Sequence, residues 1–298
     1  MIYDCLIVGA GPGGLSAALY FGRAGVSTII IEKSAPGGKV ITTSSVENYP
    51  GVVSTTGAGL ALNMMAQLKP YNIPFKYEEV IEITKDNDLF ITKTNKDTYT
   101  SKYVIVSTGT INRSLGVAGE MKFMSRGVSY CAVCDGMLYK DKEVMVVGAG
   151  NSAFEESLYL AKICKQVSIV HRSTTFRASA ELIEKVKNTE NIKLITDTTV
   201  ESFNGNNILE SVTLKHLDSI EEYKVDGVFI YIGFIPCTDF LKDFNVLDEA
   251  GFIKINQDCE TSVDGLYAVG DCTNHVVKQI GCAVGHGITA SNIIIKKL

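Results

Sequence analysis

The sequence predicts an α/β fold with two separate strand–turn–helix units, and three segments carry that expectation. Apolar Cys5-Leu6-Ile7-Val8 runs into the glycine-rich turn Gly9-Ala10-Gly11-Pro12-Gly13-Gly14. Val144-Met145-Val146-Val147 runs in the same way into Gly148-Ala149-Gly150-Asn151-Ser152-Ala153. Between them lies Cys131-Ala132-Val133-Cys134-Asp135-Gly136, two thiols at a spacing that can close a small ring, followed at once by a carboxylate.

The first unit starts as a buried strand from Ile2 to Val8. Leu15-Ser16-Ala17-Ala18-Leu19-Tyr20-Phe21 then places small and apolar residues at helical spacing until Gly25 stops the helix. A second strand, Ser27 to Ile31, ends at Glu32. The second unit repeats the plan with a strand over Val144–Val147, a helix over Ser152–Ala161 and a strand over Val167–Val170 that ends at His171-Arg172. In such a turn the first glycine permits a tight bend, the second lets backbone approach a pyrophosphate, and the third lets helix lie against strand. Amide N–H groups and the helix dipole then face the anion without a lysine. Glu32 and Arg172 fall at nearly the same distance from their turns, so one unit offers an acceptor to ribose hydroxyls and the other a cation suited to a 2′-phosphate.

Further along, Tyr103–Val106 is a strand ending at Thr108-Gly109, a place where backbone can come close to a ligand. Asn191 to Lys215 alternates strand-like and turn-like pieces, with Asn204-Gly205-Asn206 marking a hairpin. A strand-rich run from Val225 to Phe234 closes at Pro236. Gly265 to Val269 is a short apolar strand entering Gly270-Asp271, followed by Lys278-Gln279 and a helix from about Cys282 to Ile295.

Bulk properties bound the function. The 298 residues, 46% hydrophobic, suffice for a substantial core and suggest two domains. A net charge of −5 and the lack of a basic run argue against nucleic acid. The apolar runs are far shorter than the roughly 20 residues of a membrane span. No basic, apolar and cleavable leader precedes the first strand, so a cytoplasmic location is expected. Of eight cysteines only Cys131 and Cys134 are close in sequence, and no second Cys or His pair stands at zinc-ligand spacing.

Two thiols that make and break a disulfide need a lowered thiol pKa or a nearby proton donor, and Asp135 can give or take that proton. His171, one of four histidines, reads as a cofactor contact at most, and Glu155-Glu156 as solvated helix surface, with a nucleotide role for Glu155 secondary.

Taken together, Gly9 to Gly14 with Glu32, Pro36-Gly37-Gly38, Val46 to Gly51, Cys131 to Gly136, Gly148 to Glu156, His171-Arg172 with Phe176-Arg177-Ala178, and Gly270-Asp271 resemble the low-molecular-weight, bacterial-type thioredoxin reductases, along essentially the whole chain. The resemblance implies two Rossmann-like three-layer dinucleotide-binding domains, the second inserted into the first: residues 1–112 with 241–298 for FAD, and 113–240 for NADPH and the dithiol. FAD contacts are implied for Gly9, Gly11, Pro12, Gly14, Glu32, Lys33, Gly38, Lys39, Asn48, Val80, Thr108, Gly109, Asp271, Lys278, Gln279 and Ile280. NADPH contacts are implied for Gly148, Gly150, Asn151, Ser152, Glu155, His171, Arg172, Arg177 and Gly233. It also implies a homodimer, thioredoxin as partner, and a rotation of one domain against the other hinged near Arg113 and Asp239, while the cysteine and histidine spacing above leads to no metal being expected. Electrons would pass from NADPH through FAD and the Cys131–Cys134 disulfide, with Asp135 as acid/base.

Four positions depart from the family pattern. Ser173 stands where a second arginine is usual, so one charge-assisted contact of about 1.5–3 kcal/mol is lost and preference for NADPH over NADH should weaken. Lys39 and Lys278 replace Gln and Arg near the expected flavin, Lys278 keeping the charge of arginine without its planar fork, and Cys237 replaces Asn. Rival readings are the same chemistry fed by NADH or reduced ferredoxin, a related reductase for another thioredoxin-like partner, a dithiol-free ferredoxin–NADP reductase, and a nucleotide-sensing protein without turnover.

Overall fold

The computed structural model describes residues 1–43, 46–217 and 219–298. Strand β1 (Ile2–Val8) buries its second half, Cys5 to Val8, and hands the chain to helix α1 (Pro12–Ala24). Proline at the first helical position suits a site whose N–H has no helical partner, and Gly25 ends the helix in the left-handed conformation at φ 71°. Strand β2 (Thr28–Glu32), helix α2 (Gly57–Leu68) and strands β3 (Phe75–Tyr77), β4 (Val80–Asp86), β5 (Leu89–Thr94) and β6 (Thr98–Val106) follow. Strand β7 (Thr110–Asn112) then carries the chain out of this first unit.

The second unit contains β8 (Val128–Ser129), the single turn α3 (Ala132–Asp135), β9 (Glu143–Val147), α4 (Asn151–Ala161), β10 (Gln166–Val170), α5 (Ala180–Lys187) and β11 (Ile192–Ile195). Strands β12 (Thr198–Asn204), β13 (Ser211–His216), β14 (Ser219–Lys224) and β15 (Gly227–Ile230) complete it. Strand β16 (Phe234–Pro236) returns the chain to the first unit, which ends with β17 (Leu266–Ala268) and α6 (Ile280–Lys297).

Each unit stacks a helical layer, a mainly parallel sheet and an antiparallel layer. In the first, the order β3-β2-β1-β6-β5-β4 is parallel from β3 to β6, antiparallel beyond, and β17 adds to β6 in parallel. Side chains alternate across the pleat. Ile7, Ile30 and Ile105 pack against Phe21 of α1 and Ile294 of α6, whereas Leu6, Ile29, Val104 and Val106 pack against Phe90, Leu241, Val246 and Ile253. In the second unit the order is β11-β10-β9-β15-β8, all parallel, with α4 and α5 over Val144, Val146 and Ile169. The antiparallel β12-β13-β14 sheet covers Met145, Val147 and Ile230.

The units divide as Met1–Ile111 with Ile235–Leu298, and Asn112–Phe234. The returning boundary therefore lies at 234/235, earlier than the 240/241 expected from sequence. Residues 237–241 already belong to the first unit: Cys237 N–H donates to Gly109 O at 3.1 Å, Thr238 Oγ1 donates to Gly251 O at 2.7 Å, and Leu241 is wholly buried in that core. The last helix begins at Ile280 rather than near Cys282, because Gln279 in extended backbone caps it. The hairpin at Asn204-Gly205-Asn206 is present, with Asn204 opposite Ser211 and Gly205 at φ 150°. The run Val225–Phe234 is broken: β15 stops at Ile230, and Gly233 turns at φ 105°.

Candidate functional site

In the first unit the parallel strands end in register. Val8 lies opposite Ile31 and Val106, and Val106 opposite Ala268, so Gly9, Glu32, Thr108-Gly109 and Gly270-Asp271 gather at one edge of the sheet, the edge where such folds bind ligands. Gly9 is at φ 98°, and a Cβ there would sit 2.6 Å from Ser107 O. Gly11 caps α1 with extended backbone and has no side chain to cover the first amides. Pro12 and Gly14 form the first turn behind it. Glu32 is only 8% exposed, and its carboxylate accepts from Ala10 N–H at 2.7 Å and Ser34 N–H at 2.8 Å. The turn itself therefore orients the acid.

A second group assembles from both ends of the chain. Lys39 Nζ donates to Thr110 Oγ1 at 2.8 Å and pairs with Asp271 Oδ2 at 3.0 Å. Lys278 Nζ donates to the carbonyls of Asp271 and Thr273 at 2.9 and 2.6 Å, and burial pushes its pKa down. Asn48 Nδ2 reaches Gln279 Oε1 at 3.4 Å, directly before Ile280, the first residue of α6. Gly38, at φ 58°, lies against Gly11, where a Cβ would be 3.4 Å from its Cα. Thr108 turns its hydroxyl to Cys237 O at 2.7 Å, leaving Gly109 at φ 64° to continue the edge. Lys33 points outward to Glu79 at 3.9 Å, whereas the next residue, Val80, is half-buried and packs against the core that holds Val8 and Ile31. Sequence reasoning missed Ser107, whose hydroxyl lies 2.6 Å from Gly9 O, and His286, whose Nδ1 accepts from Gly270 N–H at 3.3 Å.

The second unit repeats the arrangement. Val147 lies opposite Val170 and Ile230, and Val170 opposite Ile195, so Gly148, His171-Arg172 and Tyr231 share one edge. A cavity of about 1060 Å³ opens there, lined by Gly148, Gly150, Asn151, Ser152, His171, Arg172, Arg177 and Gly233 among others. Gly148 is at φ 130°, and a Cβ would meet Tyr231 O at 2.2 Å. Asn151 Oδ1 accepts from Ser179 N–H at 2.9 Å, and Arg177 N–H donates to Ala149 O at 3.0 Å, which fixes the arginine segment against the turn. Burial pushes the pKa of His171 down, with Arg172 and Arg177 adding to it against a hydrogen bond to Thr175. Glu155 lies exposed on α4 and is not part of the cavity wall.

Also in the second unit, Cys131 and Cys134 form a disulfide across α3. Cys131 is the N-cap, and Cys134 N–H points to its Sγ at 3.2 Å. Asp135 Oδ2 accepts from Ser129 Oγ at 2.6 Å. Burial raises the pKa of Asp135, partly offset by that hydrogen bond, so the carboxyl holds its proton to a higher pH than an ordinary aspartate. Val133, between the two cysteines, and Met137 and Leu138, just beyond Asp135, are exposed apolar residues. Among the described residues no cluster of three or more His, Cys, Asp or Glu side chains could hold a metal ion, and no helix is long and apolar enough to cross a membrane.

Comparison with known proteins agrees with this geometry. A thioredoxin reductase of Mycoplasma pneumoniae is 45% identical over 97% of this chain and 93% of its own length. That of Bacillus subtilis is 38% identical over 98% and 94%. The crystal structure of thioredoxin reductase from Streptococcus pyogenes superposes with a TM-score of 0.94 at 38% identity, covering 99% of this chain and 97% of that one. Residues 3–287 match the family described as pyridine nucleotide-disulphide oxidoreductase, and the chain belongs to that family.

Proposed function

We propose that the chain is a flavin-dependent thioredoxin-disulfide reductase supplied with electrons by NADPH. The single observation that carries the reading is the Cys131–Cys134 disulfide with the protonatable Asp135 beside it, on the unit that also holds the arginine-lined cavity. The relatives from Mycoplasma pneumoniae, Bacillus subtilis and Streptococcus pyogenes are thioredoxin reductases, which supports thioredoxin as partner.

The residues present fit the implied cofactors. The first unit offers a turn where a Cβ would fill the cradle at Gly9, a preoriented acceptor in Glu32, and the Lys39–Asp271 pair. These residues, with Gly11, Gly38 and Lys278, would hold FAD. The open turn at Gly150 and the cations Arg172 and Arg177 would hold NADPH in the second unit, the arginines facing its 2′-phosphate. A bound flavin supplies the two-electron exchange between nicotinamide and disulfide. Asp135 holds the proton that one sulfur needs when the S–S bond opens, and the Ser129 hydroxyl, which donates to that carboxyl, fixes its position. The resulting dithiol reduces the disulfide of thioredoxin by exchange, and Val133, Met137 and Leu138 offer it apolar surface.

The arginine-flanked cavity favours a nicotinamide donor over ferredoxin, and Ser173 argues for incomplete discrimination against NADH. Yellow purified protein that bleaches with NADPH, and more slowly with NADH, is the expected result. Colourless protein, or no bleaching with either nucleotide, would overturn the reading. The family resemblance also supports a cytoplasmic homodimer, and a monomeric mass by light scattering would contradict it.

A further inference from the structure

Cys131 is held from both sides by tyrosine hydroxyls, neither of which the redox chemistry itself uses. On one side the amide of Ala132 donates to Tyr231 Oη at 2.5 Å. Tyr231 is rigidly placed: its own amide donates to Val147 O at 2.8 Å, and its carbonyl packs against the turn at Gly148. Burial, with the carboxylates of Glu156 and Asp135 adding to it, raises its pKa, so the phenol stays neutral. On the other side Tyr130 donates its hydroxyl to Glu120 Oε1 at 2.5 Å. Glu120 is 1% exposed and also accepts from Ser114 Oγ at 2.7 Å, Leu115 N–H at 3.1 Å and Gly116 N–H at 2.8 Å. The hydrogen bonds with Tyr130, Ser114 and the two amides outweigh burial and keep it ionised.

The backbone on both flanks of Cys131 is thereby fixed, in the extended conformation (φ −148°, ψ 102°) that points its Sγ at Cys134. The short α3 supplies little rigidity of its own. When the disulfide opens, a tethered segment keeps the two thiols close, whereas a loose one lets them separate. The ease with which the bond re-forms depends on that effective concentration.

We propose that Tyr231 and Tyr130 are positioning residues that set the thiol–disulfide equilibrium of the Cys131–Cys134 pair by holding both flanks of Cys131. The inference rests on the reading of that pair as the redox-active couple. Removing either hydroxyl should favour the open dithiol without removing the aromatic ring from its packing.

The holoenzyme and its Tyr231→Phe and Tyr130→Phe variants are equilibrated with mixtures of reduced and oxidised dithiothreitol, quenched in acid, alkylated and weighed intact. Each reduction oxidises one dithiothreitol to its cyclic disulfide, breaks one protein S–S bond and places two protons on the protein sulfurs. The expected result is a shift of the equilibrium toward dithiol of about tenfold for Tyr231→Phe, which is about 30 mV for a two-electron couple, and a smaller shift for Tyr130→Phe. The flavin midpoint, read by absorbance, should stay at the wild-type value in both. Wild-type ratios in both variants, or equal shifts of flavin and dithiol, would overturn the inference while leaving the redox pair itself established. A wild-type protein whose mass never reports the gain of two alkylated thiols would overturn the redox reading and the inference with it. Should Tyr231→Phe fail to fold, Tyr130→Phe decides, because Glu120 keeps three other donors.

Discussion

Among single residues, Asp135 and the cavity cations carry the proposed chemistry. A buried carboxyl whose pKa is raised donates a proton below that pKa, so disulfide exchange should slow as pH rises through it. Asp135→Asn should remove that limb of the pH–rate profile and lower kcat by about 10²–10⁴-fold, as measured by thioredoxin-coupled insulin reduction. His171 is held neutral by burial and by the neighbouring arginines. A 2′-phosphate favours its charged form, so NADP⁺ should bind with proton uptake and more tightly as pH falls across the gap between free and bound pKa, while NAD⁺ should not. Calorimetry in buffers of different ionisation enthalpy checks the sign. Ser173→Arg should restore a charge-assisted contact of about 1.5–3 kcal/mol, raising NADPH over NADH selectivity in kcat/KM about tenfold to hundredfold. These residues were legible because each lies within a short motif. Ser107, His286 and Tyr231 were not, because their partners are 98, 16 and 99 residues away and no local spacing marks them.

Among the elements, the two glycine turns carry the most consequence. At Gly148 an alanine methyl would meet a backbone oxygen at 2.2 Å with φ at 130°, so neither strand nor turn can yield cheaply. Gly148→Ala should cost about 1–3 kcal/mol of stability and abolish NADPH binding while leaving FAD bound. Equilibrium unfolding and nucleotide titration of the same sample test both parts. Gly9→Ala should do the reverse, releasing FAD. Strands β1, β2, β9 and β10 and helices α1 and α4 followed directly from apolar runs beside glycine. The antiparallel layers were less visible: the β4 strand reads Val80-Ile81-Glu82-Ile83-Thr84-Lys85-Asp86, half exposed, and its pairing with β5 is a long-range fact. Helix α2 was missed because its glycines and alanines give weak periodicity, and Thr56 caps it without an acid in the first turn.

For the whole chain, insertion of one nucleotide-binding unit into another gives each its own core. Ligands for one unit should then stabilise that unit by mass action, about 2.7 kcal/mol at a hundredfold excess over Kd, with little effect on the other. Calorimetry should show FAD raising one transition and NADP⁺ a different one, whereas a common shift with either ligand would contradict separate cores. The boundary at 234/235 escaped the sequence because Pro236 and Cys237 look like a strand end, and only the bonds of Cys237 and Thr238 show which unit holds them. The most direct test of the central claim is an anaerobic titration of the flavin-loaded protein with NADPH. The wild type should take up about two equivalents, one for flavin and one for the disulfide, and Cys131→Ser about one. Equal uptake by the two proteins would contradict the passage of electrons through Cys131 and Cys134.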